Sequence, residues 1–76
     1  MTKIDPTGPV APYRQIAEII RSRIESGEYP KSSRIPTESE IVETFEVART
    51  TARRAIALLR DQGIVETVPQ RGTYVR

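Results

Sequence analysis

Apolar residues recur at steps of three and four along three stretches of the chain, and β-branched runs follow the last of them. Tyr13, Ile16, Ala17, Ile20 and Ile24 make one helical stripe, with Arg14, Glu18, Arg21 and Glu25 on the opposite side. Pro12 has the fixed φ that suits a first helical turn. Ser26-Gly27 ends the helix, with Gly27 as a left-handed cap. Pro30 and Pro36 punctuate the loop that follows, and Arg34-Ile35 inside it can add a very short strand. Thr37-Glu38-Ser39-Glu40 reads as a capping box, in which Thr37 and Glu40 satisfy each other's backbone amides. Ile41, Val42 and Phe45 supply the buried face of this second helix, about two turns long.

Glu46-Val47-Ala48 is the expected turn. A third helix runs from about Ala48 to Gln62, with Ala52, Ala55, Ile56 and Leu59 inward and Leu58 at the margin. The small side chains at 52 and 55 let the second helix approach closely. Gly63 caps the end. Ile64–Val68 and Thr73–Arg76 favour strands, and Pro69-Gln70-Arg71-Gly72 between them is a hairpin turn, with Gly72 able to take positive φ. The expected fold is mainly α with a small β-hairpin: a winged helix-turn-helix of three helices plus wing, over residues 12–76. Residues 1–11, with Pro6, Gly8 and Pro9 and little periodicity, read as a flexible N-terminal arm.

Composition narrows the chemistry. Seventy-six residues suffice for one small domain. The chain has no Cys and no His, which removes disulfides, thiolate metal sites, the commonest general base and the commonest imidazole ligand. No enzyme activity, metal or cofactor is expected. No apolar run approaches a membrane span, and Met1–Asp5 lacks the apolar segment of a signal peptide. The expected location is therefore cytoplasmic.

The formal net charge is only +2, but it is unevenly spread. Residues 1–45 carry six cations against seven acids, whereas residues 46–76 carry six arginines against three acids. Arginine's planar fork suits phosphate and guanine edges better than lysine does. A major groove about 12 Å wide admits one α-helix, and residues near the N-terminus of that helix meet the base edges. Arg49, Thr50 and Arg53 occupy that place. Arg49 and Arg53 share one face, and Thr50 and Thr51 offer hydroxyls to phosphate and methyls to thymine. Gln70, Arg71 and Gly72 at the hairpin tip suit the adjacent minor groove.

Blander readings stand beside these. Arg49 and Arg53 can be solvated surface, Thr51 can pack inward, and Arg54 and Arg60 can pair with acids such as Glu46, Asp61 or Glu66, or lie exposed. Tyr13 and Tyr74 read as core or core rim, and Glu38 and Glu40 as a helix cap. The joint placement of arginines at a helix start and a hairpin tip favours double-stranded DNA. The alternatives are a winged-helix protein–protein module, a small hydrolase or metal enzyme left with carboxylates alone, and double-stranded RNA, whose narrow major groove excludes the helix.

The chain resembles the DNA-binding domain of the GntR family of bacterial transcription regulators. The resemblance rests on Pro12–Ala17, Ile35–Ile41, Phe45–Ala55, Leu58–Val65 and Gln70–Val75, in order and at the family's spacing. It implies a transcription regulator, usually a repressor, that binds a short palindromic operator as a homodimer. It places Arg49 and Arg53 on bases, Thr50 and Thr51 on phosphate or bases, and Gln70, Arg71 and Gly72 in the minor groove. Ser39, counted with the DNA-binding positions, stands where the family often has a DNA-contacting arginine. Glu46 replaces a turn glycine, and Ala48 replaces a Ser or Thr cap. Family members usually continue into a second domain that senses a small molecule. An effector is expected only if such a domain accompanies this one.

Overall fold

The computed structural model describes residues 4–76. Three helices and one hairpin follow in order: α1 (Pro12–Glu25), α2 (Glu38–Phe45), α3 (Arg49–Asp61), β1 (Val65–Val68) and β2 (Gly72–Val75). This is the winged helix-turn-helix read from the hydrophobic pattern.

Each helix ends where local chemistry dictates. Pro12 opens α1. Its C-terminus closes in a paired-bond cap: the Gly27 amide donates to the Ile24 carbonyl at 3.1 Å and the Glu28 amide to Arg23 at 2.9 Å. Gly27 takes the left-handed conformation this requires, with φ of 89°. The end of α3 repeats the device, with Gly63 donating to Arg60 and Ile64 to Leu59. At the start of α2 the capping box is complete. The Glu40 amide donates to Thr37 Oγ1 at 3.1 Å, and the Thr37 amide donates to Glu40 Oε1 at 2.8 Å.

α1 and α2 both pack on α3, and β1 packs beneath it. Ala52 and Ala55 are fully buried at the contact, so their small side chains bring the helices together. Ile16 and Ile20 of α1, Ile41 of α2 and Leu59 of α3 complete the centre, with Val65 and Val75 sealing it from the hairpin. No polar or charged side chain is buried among the described residues. The fold's polar chemistry therefore lies on its surface.

β1 and β2 pair antiparallel, Val65 opposite Val75 and Val68 opposite Gly72. The short strand expected at Arg34-Ile35 is a single bridge, Arg34 to Tyr74. Backbone bonds from Ser32 to Val75, Val75 to Ser33 and Ile35 to Thr73 tie that loop along β2.

Residues 1–3 of the segment read as a flexible arm lie outside the described residues. From Asp5 onward the arm is tied to α1. The Gln15 side-chain amide donates to the Asp5 and Val10 carbonyls, and its oxygen accepts from the Asp5 amide. Ile4 and Pro6 line a groove of about 390 Å³ with Phe45, Val47 and Thr51, beside the α2–α3 turn.

Candidate nucleic-acid interface

The α2–α3 turn depends on Glu46, which adopts φ 56° and ψ 51° in the left-handed region. Such a conformation costs a side-chain-bearing residue roughly 1–2 kcal/mol. The turn ends at Ala48, which caps α3 without a side-chain hydrogen bond. The first amides of α3 are thus left to solvent or to an incoming anion.

Arg49 and Arg53 both project from the first turns of α3 into solvent, with side chains 53% and 62% exposed. They converge on one carboxylate. Glu38, the first residue of α2, receives Arg49 Nη1 at 3.6 Å on one oxygen and Arg53 Nε at 3.4 Å on the other. Arg49 Nη2 also donates to Ser39 Oγ at 3.3 Å. Ser39 therefore orients Arg49 within the protein. Exposed ion pairs of this kind are worth about 0–1 kcal/mol, so they orient the two guanidinium groups without locking them. A phosphate or a guanine edge can displace Glu38 at small cost.

Thr50 is exposed, whereas Thr51 is half-buried against the groove beside the turn. At the hairpin tip, the Arg71 amide donates to the Val68 carbonyl at 3.0 Å. Pro69 and Gln70 fill the turn, and Gln70 takes φ 63°. With proline before it, this is the pattern of a type II turn, which requires positive φ at its third position. Gln70 and Arg71 are exposed. Gly72 opens β2 rather than the tip, with φ of 129°. A Cβ there would lie 3.2 Å from Arg34 Nε. The glycine thus accommodates Arg34, whose guanidinium rests over the Tyr74 ring at 5.9 Å. The Tyr74 hydroxyl donates to the Arg71 carbonyl at 3.2 Å and props the tip.

Two residues add to the sequence reading. Arg60 lies exposed, one of the alternatives given for it, and pairs with none of the acids named; its Nη1 donates to Thr67 Oγ1 at 2.9 Å, joining α3 to the wing. Glu38 is more than a helix-start acid, because it gathers the two principal arginines. Its contacts span 11 and 15 positions of sequence, so no local spacing announces them. The signal available was the capping box, which fixes Glu38 as the first residue of α2. Arg54 is exposed and makes no ion pair among the described residues.

A cleft of about 210 Å³ brings these parts together. Glu38 and Arg60 stand on its helical side, and Thr67, Gly72 and Thr73 on its wing side. Arg49 and Arg53 themselves lie outside its lining and reach it only through Glu38. No helix is long and apolar enough to cross a membrane among the described residues.

Comparison with known proteins agrees with this layout. Residues 12–75 match the family described as bacterial regulatory proteins, gntR family. Among similar curated proteins is the mannosyl-D-glycerate transport/metabolism system repressor MngR of Escherichia coli, 44% identical over 64 residues, covering 84% of this chain and 27% of that protein. The transcriptional repressor NagR of Bacillus subtilis is 33% identical over 72 residues, covering 95% of this chain and 30% of that protein. The chain thus spans between a quarter and a third of the length of these relatives. Among solved structures, AraR(DBD) in complex with operator ORX1 superposes with a TM-score of 0.88 at 34% identity, covering 100% of this chain and 96% of that one.

Proposed function

Since the chain belongs to the gntR family of bacterial regulatory proteins, we propose that it binds double-stranded DNA of defined sequence and serves a cytoplasmic transcription regulator. The carrying observation is the exposed pair Arg49 and Arg53 at the open end of α3, in a fold whose hairpin tip exposes Gln70 and Arg71. In this reading α3 enters the major groove. Arg49 and Arg53 leave Glu38 for guanine edges or phosphates, and Thr50 and Thr51 meet phosphate or a thymine methyl. Gln70 and Arg71 enter the adjacent minor groove, and Gly72 behind them leaves room for Arg34 against the hairpin. Ser39 holds Arg49 in line.

The relatives named as repressors support repression as the outcome. The family resemblance favours a dimer on a palindromic operator, and the greater length of these relatives leaves room for a domain that takes a small-molecule effector. Exposed arginines at both the start of α3 and the hairpin tip favour this reading over a protein–protein module.

Selection from random duplexes tests it. A recovered motif is expected, with base preference relaxed by Arg49→Ala or Arg53→Ala. Arg71→Ala is expected to weaken specific and random duplexes more evenly. No binding to any duplex at low salt, or equal effects of all three substitutions, would refute the proposal.

A further inference from the structure

We infer that the cleft between α3 and the wing is a phosphodiester-binding site, with Arg60 and Thr73 as donors and Thr67 as the residue that positions Arg60. The inference rests on the DNA-binding reading above. If α3 lies in a major groove and the hairpin tip in the neighbouring minor groove, one backbone strand must cross between them. The cleft offers a gap there, and α3 and the wing are joined beside it by the packing of β1 on α3.

The lining suits that strand. Arg60 Nη1 donates to Thr67 Oγ1 at 2.9 Å, which occupies one of the five guanidinium N–H groups and leaves the others free. Thr67 Oγ1 lies 3.2 Å from Thr73 Oγ1. When Thr67 donates to Thr73, the Thr73 hydroxyl hydrogen is free to point outward. Arg60 shares its stripe of α3 with Arg49 and Arg53, at spacings of 11 and 7 residues. It thus continues the same face toward the wing. Glu38 at the other end of the cleft would repel phosphate, but Arg49 and Arg53 balance its charge. Among the described residues no acid forms an ion pair with Arg60, and the acid that shares the cleft, Glu38, is engaged by Arg49 and Arg53.

The test uses the full chain on a bound duplex in which single phosphates are replaced, one at a time, by neutral methylphosphonates. For the unaltered protein, one position between the two grooves should cost about ten-fold in affinity. Arg60→Gln should weaken the unmodified duplex by a similar factor, lower the salt slope by about 0.9 and lose nothing further at that position. Thr73→Val should show a smaller version of the same coupling, and Thr67→Val should keep the penalty at that position. Losses from Arg60→Gln that add equally to every methylphosphonate would overturn the inference and make Arg60 a strut. An effective Arg49→Ala beside a silent Arg60→Gln overturns this inference alone. A chain that binds no duplex overturns this inference and the DNA-binding reading together.

Discussion

At position 38 a single carboxylate decides how two guanidinium groups are presented. Glu38 stands one third exposed between Arg49 and Arg53. Each pair is worth about 1 kcal/mol at most, and either is easily exchanged for a contact with DNA. The carboxylate nevertheless acts against indiscriminate binding, since any phosphate must compete with it. Glu38→Gln is therefore expected to tighten binding to random duplex by up to about five-fold at low salt, while the ratio of specific to random affinity falls. Titrations of both duplexes side by side measure this, and an unchanged ratio would remove Glu38 from the account. Glu46 poses a different problem. Its left-handed backbone is a conformation glycine adopts freely. Glu46→Gly should raise stability by about 1 kcal/mol in urea unfolding. Combined with Ala48→Ser, which restores a cap worth about 1 kcal/mol, it should also tighten DNA binding by removing a negative charge from the turn. Equal affinity for the double variant would contradict that.

Elements were the most legible part of the chain, because each is specified by neighbours. The stripe from Tyr13 to Ile24, the glycines at 27 and 63 and the Thr37–Glu40 box are local signals, and the helices end within a residue or so of where those signals place them. α2 has only eight residues, too few to be stable alone, so its cap matters more than in a long helix. Thr37→Ala should cost about 1 kcal/mol, within the range of roughly 0.5–2 kcal/mol measured for such caps. Because α2 carries Glu38 and Ser39, the same change should loosen the presentation of Arg49. Chemical denaturation combined with DNA titration checks both effects. What spacing did not reveal depends on packing between elements. The convergence on Glu38, the Arg60–Thr67 link and the rest of Arg34 on Tyr74 each join residues from separate elements. Gln70 at positive φ was missed for a related reason. Gly72 takes positive φ as expected, but the proline at 69 adds a second such position one step after itself, at 70.

For the molecule as a whole, the apolar core and the surface placement of polar side chains among the described residues divide the labour cleanly. α3 packs on β1, and the hairpin completes a cleft lined by both Glu38 and Arg60, whose assembly depends on the whole fold. Its affinity for DNA should come mainly from released counterions. A domain that neutralises roughly four phosphates should lose about two orders of magnitude in affinity between about 50 and 200 mM salt. A flat response would mean that the arginines are not meeting phosphates. The contact of Gly72 with Arg34 also limits how this wing can diversify. A side chain at 72 meets both an unfavourable φ and an occupied space. A combinatorial library randomised at 70, 71 and 72, sorted for folded clones, should return glycine almost invariably at the third site. New operator preferences would then have to evolve through the first two.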